Sequence, residues 1–106
     1  MFARMVRYST TSDVRDQAQR AEEGVLPLFE SLPGFKAYSV ADSDGEIFSM
    51  SVWETREQAE AASASAAEWV AENMPEITLE EARYGEILFS TLLGVSTKTV
   101  APAWAR

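Results

Sequence analysis

The chain has 106 residues, 46 % of them hydrophobic and 25 % charged, the composition of one globular domain. Nine Lys and Arg stand against seventeen Asp and Glu, a formal charge of -8, which argues against a nucleic-acid binder and against attraction to anionic membranes. It contains neither His nor Cys. Imidazole and thiolate metal sites, Ser-His-Asp catalysis and disulfide frameworks are therefore excluded.

Phe2 to Tyr8 reads as a strand, with Phe2, Val6 and Tyr8 on one face and Ala3 and Met5 on the other. Arg4, Arg7, Asp13 and Arg15 interrupt this first stretch, so it does not read as a signal peptide. No run approaches the length of a membrane span, and the expected compartment is cytoplasmic. Thr10 to Ser12 offer cap residues, with Asp13 and Asp16 at a helix N-terminus, where the helix dipole favours anions. Val14, Ala18, Ala21, Val25, Leu28 and Leu32 then recur at helical spacing. Pro27 lies inside this stripe and predicts a lost backbone hydrogen bond, and so a kink, near Glu23.

Pro33-Gly34 stops the helix. Two strands follow, Phe35 to Ala41 and Glu46 to Trp53, joined through Asp42-Ser43-Asp44-Gly45, a sequence suited to a tight hairpin. Thr55 and Gln58 have capping-box spacing and open a second helix with the stripe Ala59, Ala62, Ala66, Trp69 and Val70. Asn73 and Pro75 end it. The last strand is expected within Leu79 to Ser90, centred on Arg83 to Phe89. The β-α-β-β-α-β order predicts an α+β, ferredoxin-like domain over residues 1–90, a four-stranded antiparallel sheet with two helices on one face. Residues 91–106, with Gly94, Pro102 and Trp104, read as a C-terminal arm.

Two helices cover only one face of such a sheet. The other would carry Phe48, Met50 and Val52 and is not polar, so a two-fold homodimer packed sheet to sheet is expected ahead of a monomer with several exposed hydrophobes. An even hairpin loop puts Tyr38 and Val40 on the same face as Ile47, Ser49, Ser51 and Trp53. Small residues on this face and on the second helix leave room for a pocket walled by Tyr38, Trp53 and Trp69, or else let the layers pack tightly. Arg4 and Arg83 are charges in strand-like segments. Either could hold a phenolate, an enolate or a carboxylate, or simply pair with a Glu. Asn73 could donate to a ligand or only terminate its helix.

The Pro33-Gly34-Phe35 step, the hairpin, the strand end Ser51-Val52-Trp53-Glu54 and the helix opening Thr55-Arg56-Glu57-Gln58-Ala59 resemble the antibiotic biosynthesis monooxygenase family, over about Phe2 to Phe89. The resemblance implies a dimeric α+β barrel with one ligand pocket per subunit between sheet and helices. It implies, for some members, oxygenation of aromatic polyketides by O2 with no metal, flavin or other cofactor. Trp53 matches the family's strand-end Trp and is carried over as a catalytic candidate. Asn73 and Arg83 join it by placement, and Tyr38, Ser49, Ser51 and Trp69 are the expected substrate-binding set. Haem-degrading relatives place a His on the second helix, which this chain lacks. Three readings stay open: a cofactor-independent monooxygenase for a small aromatic molecule, a non-catalytic homodimer binding a small hydrophobic ligand, and a structural dimer with a filled interior.

Overall fold

Alternation sets the faces of the sheet. A computed structural model describes residues 1–100, so Pro102 and Trp104 of the expected arm lie outside the described residues. Its elements are β1 (Phe2–Thr10), α1 (Val14–Glu30), β2 (Phe35–Ser43), β3 (Glu46–Trp53), α2 (Arg56–Asn73), β4 (Ile77–Glu86) and a short α3 (Thr97–Val100). The sheet order is β2-β3-β1-β4, every neighbouring pair antiparallel. This is the ferredoxin-like arrangement.

The local signals work as their chemistry requires. Asp13 caps α1, its carboxylate accepting from the backbone N–H of Arg15 at 2.8 Å and of Asp16 at 3.2 Å. Helix α1 runs through Pro27 without ending. The capping box of α2 is closed: Gln58 N–H donates to Thr55 Oγ1 at 3.2 Å, and Thr55 N–H to Gln58 Oε1 at 3.1 Å. Asp44 and Gly45 both have positive φ, 52° and 88°, as a two-residue hairpin turn demands. The even loop pairs Tyr38 with Ser51 and Val40 with Ser49, so these four share the helix-covered face with Trp53.

Strand β4 begins and ends earlier than the expected Arg83–Phe89 centre. It pairs with β1 from Thr10↔Ile77 to Phe2↔Glu86, and Ile87 N–H makes one more bond, to Met1 O. Beyond Glu86 the partner strand has run out, so hydrophobicity there cannot sustain pairing. A bulge between Arg7 and Tyr8 shifts the register and leaves Glu80 unpaired; its carboxylate accepts from Ser9 Oγ at 2.6 Å.

The core lies between sheet and helices. Phe29, Trp53, Ala59 and Ala62 have no exposed surface, and Ala21, Val25 and Ala66 complete the cluster. The Phe29 ring meets Trp53 at 5.2 Å and Tyr38 at 4.9 Å, and Phe35 meets Trp53 at 5.4 Å, all edge to face. Each such pair adds about 0.5–1.5 kcal/mol to its burial. The buried side of α1 is Val14, Gln17, Ala21, Val25 and Phe29, so the expected Ala18 and Leu28 positions give way to Gln17 and Phe29.

Where the helices meet, Trp69 lies over Gly24. A Cβ built on Gly24 would fall 1.9 Å from Trp69 Cζ2. Gly to Ala inside a helix ordinarily stabilises by up to about 1 kcal/mol. Here Gly24→Ala is expected to destabilise by about 1–3 kcal/mol, the usual cost of overpacking. In a Trp69→Ala background the same change should be neutral or stabilising. Chemical denaturation of the four proteins checks this, and the two effects should be far from additive.

Candidate functional site

The Ala column of α2 decides between tight packing and pocket, and it decides differently along its length. Beneath Ala59 and Ala62 the layers are closed: Ser51 and Trp53 are fully buried there, and Trp53 Nε1–H donates to Ser51 Oγ at 2.9 Å. Beyond Ala66 the layers part. A cavity of about 30 Å³ opens there, lined by Arg4, Tyr8, Gln17, Ala18, Ala21, Val25, Phe29, Tyr38, Val40, Ile47, Ser49, Ala66, Val70, Met74 and Ile77. That volume suits a molecule the size of water. Ala18, Tyr38 and Val40 also line a cleft of about 380 Å³ on the outer side of α1. These three residues therefore stand between the cavity and the surface. Met74, at the non-helical end of α2, contributes an adaptable wall.

Arg4 is the one charged residue of that lining, on central strand β1. It is 4 % exposed. Its Nε–H donates to Ser63 Oγ at 2.6 Å, and the Tyr84 hydroxyl donates to the same oxygen at 2.5 Å. The guanidinium carbon lies 5.9 Å from the centre of the Phe29 ring. Among the described residues no carboxylate pairs with it. A buried guanidinium normally has such a partner, because desolvating an unpaired charge is expensive.

The neutral polar groups of the lining are Tyr8, Gln17, Tyr38 and Ser49. Burial pushes the Tyr38 phenol up to about 12; Tyr8 adds to the rise and Arg4 opposes it. Tyr38 thus stays protonated near neutral pH, a hydrogen-bond donor and not a base. Gln17 is 2 % exposed, and its Oε1 has no hydrogen-bond partner among the described residues.

Of the expected residues, Tyr38 and Ser49 line the cavity. Ser51 and Trp53 sit beside it in the closed part of the core, bonded to each other. Trp69 lies at the helix crossing over Gly24. Asn73 is exposed, and its Nδ2 donates to Trp69 O at 2.9 Å, while Arg20 Nη2 donates to Asn73 O at 2.7 Å. It ends its helix. Arg83 stands on the uncovered face of the sheet, because Tyr84, its neighbour in a pleated strand, faces the helices; it is exposed and ion-paired to Glu81. Asn73 and Arg83 therefore do not reach the cavity. Of the two arginines considered for the site, Arg83 has the simple Glu partner and Arg4 has none among the described residues. Gln17 was not among the expected residues. Its only sequence signal is a polar side chain at the i+3 position of the apolar stripe that starts at Val14. Among the described residues no cluster of His, Cys, Asp or Glu could hold a metal ion.

No protein-family model matches the chain, and no curated protein sequence does. Solved structures do. SnoaB, a cofactor-independent oxygenase from Streptomyces nogalater, superposes with a TM-score of 0.67 at 14 % identity, over 85 % of this chain and 95 % of that one. A candidate antibiotic biosynthesis monooxygenase from Nitrosomonas europaea gives 0.66 at 16 % identity, over 84 % and 100 %. A variant of MhuD with two manganese protoporphyrin IX molecules bound per active site gives 0.66 at 14 % identity, over 86 % and 98 %. The chain thus has the fold of antibiotic biosynthesis monooxygenase structures, as its sequence pattern implied, and at these identities the likeness is one of fold.

Proposed function

We propose that this protein is a cofactor-independent monooxygenase acting on a small aromatic or polyketide-like molecule in the cavity between sheet and helices. The observation that carries the reading is Arg4, a buried cation that among the described residues has no carboxylate partner and lines an apolar space with only neutral polar groups besides. Direct contact with that cation lowers the pKa of a bound phenol or enol, against the burial that raises that of Tyr38, and stabilises its anion. The anion is electron-rich enough to pass one electron to O2. Recombination of the carbon radical with superoxide forms a C–O bond, and loss of water from the hydroperoxide leaves a carbonyl. One oxygen atom of O2 enters the product and the other leaves as water, so substrate and O2 balance without a further reductant. The chain's own residues bind, orient and exclude water; Tyr38, as a neutral donor, is suited to the developing oxyanion. Trp53 and Ser51 act from behind, fixing Phe29 against the cavity. An aromatic ligand is larger than that space, and displacement of Tyr38, which lines both, would join it to the outer cleft. The reading uses no haem, since the chain has no His or Cys to ligate its iron.

One observation favours a second reading, a non-catalytic protein that binds a small hydrophobic anion. The lining contains no carboxylate, imidazole or thiol to serve as general base. If the protein is an oxygenase, the substrate proton must leave to solvent as Arg4 captures the anion.

The proposal includes a homodimer. Met5, Phe48 and Met50 are 39 %, 43 % and 44 % exposed on the uncovered sheet face, and Leu88, Phe89 and Leu92 add exposed apolar groups beyond β4. A second copy of that face would bury them.

Two tests follow. Oxygen uptake with a saturating anthrone-class or naphthohydroquinone-class substrate should exceed autoxidation and rise with pH along a pKa below that of the substrate's hydroxyl in free solution. Arg4→Met should lower it by roughly 10²-fold while leaving thermal stability equal or higher, because an uncompensated buried charge has been removed. Saturable binding with no oxygen uptake would establish the non-catalytic reading instead, and an Arg4→Met protein with undiminished uptake and binding would refute both. For the dimer, sedimentation equilibrium at micromolar concentration should give twice the protomer mass, and a Phe48→Glu, Met50→Glu double variant a single protomer. A monomeric wild-type protein would refute it.

A further inference from the structure

Gln17 occupies a position that a Leu would fill at nearly the same volume. The buried side of α1 is otherwise apolar: Val14, Ala21, Val25 and Phe29. Its backbone is regular, with Gln17 N–H donating to Asp13 O at 3.1 Å, so helix geometry does not call for the amide. The side chain is 2 % exposed, it lines the cavity, and Oε1 is the one buried side-chain polar atom left without a partner among the described residues. Unpaired buried acceptors are rare in native proteins, and each calls for an account.

Donors are close at hand and are not used on it. Arg4, Tyr8 and Tyr38 line the same cavity, yet Arg4 Nε–H is turned to Ser63 and neither Tyr hydroxyl bonds to Gln17. An amide oxygen and a guanidinium thus face one apolar space without meeting. Oxygen Oε1 only accepts, so its complement must donate. The guanidinium only donates and is charged, so its complement must accept and is best anionic. Tyr38, kept protonated by burial, adds a neutral donor and no second negative charge.

We propose that Gln17 is a specificity-determining residue of this site, selecting ligands that carry, beside the anionic oxygen held by Arg4, a hydroxyl or N–H that donates to Gln17 Oε1. The ligand class is the monoanion of a hydroxylated aromatic: one oxygen ionised, a second still protonated. This rests on the proposed anion site and narrows it. A site built around a hydroxyl donor rejects the analogue lacking that donor far more strongly than an apolar pocket rejects an added methyl group, because the buried acceptor is stranded again.

The test is calorimetric titration of the three hydroxybenzoate isomers against the corresponding methoxybenzoates, which keep the anion and the ring and lose the donor. The wild-type protein should bind at least one hydroxybenzoate about 10-fold or more tightly than its methoxy counterpart. Gln17→Leu, with Gln17→Met as a second variant should Leu not fold, should bind the two about equally. Arg4→Met should weaken both members of the pair. Equal wild-type affinities, or discrimination that survives both Gln17 variants, would overturn the role of Gln17 while leaving the anion site standing, provided Arg4→Met still weakens binding. Affinities unmoved by Arg4→Met would overturn the anion site, and this inference with it. Absence of binding by every benzoate would overturn the selection by Gln17, and the oxygen-uptake assay then judges the reading beneath it separately.

Discussion

A guanidinium buried on the central strand, with no counter-carboxylate among the described residues, is the constraint around which the helix-covered half of the molecule is arranged. Arg4 is desolvated by α1 and α2 above it and is compensated only by neutral groups: the Ser63 hydroxyl, which also takes the Tyr84 hydroxyl hydrogen bond, and more distantly the Phe29 ring. Arg4 and Tyr84 are cross-strand partners, so one serine of α2 ties down two strands at once. A cation held in advance in low dielectric is expensive for folding and useful for binding an anion, since no reorganisation is needed when the negative charge arrives.

Residue size determines where space remains beside that cation. Ala59 and Ala62 let α2 approach the sheet until Ser51 and Trp53 are sealed. Gly24 lets α1 approach α2 under Trp69. Both close contacts draw the layers together, and Phe29, Phe35 and Trp53 close one end with edge-to-face contacts. The opposite end, under Val70, Met74 and Ile77, is where the layers separate and where Arg4, Gln17 and Tyr38 converge. The same packing that stabilises the domain thus localises the space that Arg4, Gln17 and Tyr38 share.

Much of this was legible from residue order. The hairpin parity follows from a two-residue turn, and it correctly groups Tyr38 with Ser49, Ser51 and Trp53. The capping box and the small-residue face of α2 are local signals, and local chemistry formed them. What escaped was long-range. The end of β4 depends on where β1 begins, which hydrophobicity in Ile87 to Phe89 cannot reveal. Two arginines in strands look alike until pleating is followed: Arg4 shares a face with Val6 and Tyr8, whereas Arg83 alternates with Tyr84 and so faces the other way. Gln17 is invisible to an apolar-stripe reading because that reading discards polar residues, although a polar side chain on a buried stripe is the more informative observation. Small residues around Trp53 allowed either a pocket or close packing; Ser51 and Trp53 are fully buried there, and the cavity lies farther along the layers.

The account stands on Arg4 lowering the energy of a bound anion. Its most direct measurement is a spectrophotometric titration of para-nitrophenol bound to the protein, whose phenolate absorbs where the protein does not. The pKa of the bound phenol should lie about one unit or more below its value in free solution, as expected when it contacts a fixed positive charge, and should rise above that value in Arg4→Met, where burial acts without the charge that opposes it. A bound phenol whose pKa is unchanged or raised in the wild-type protein would contradict the account.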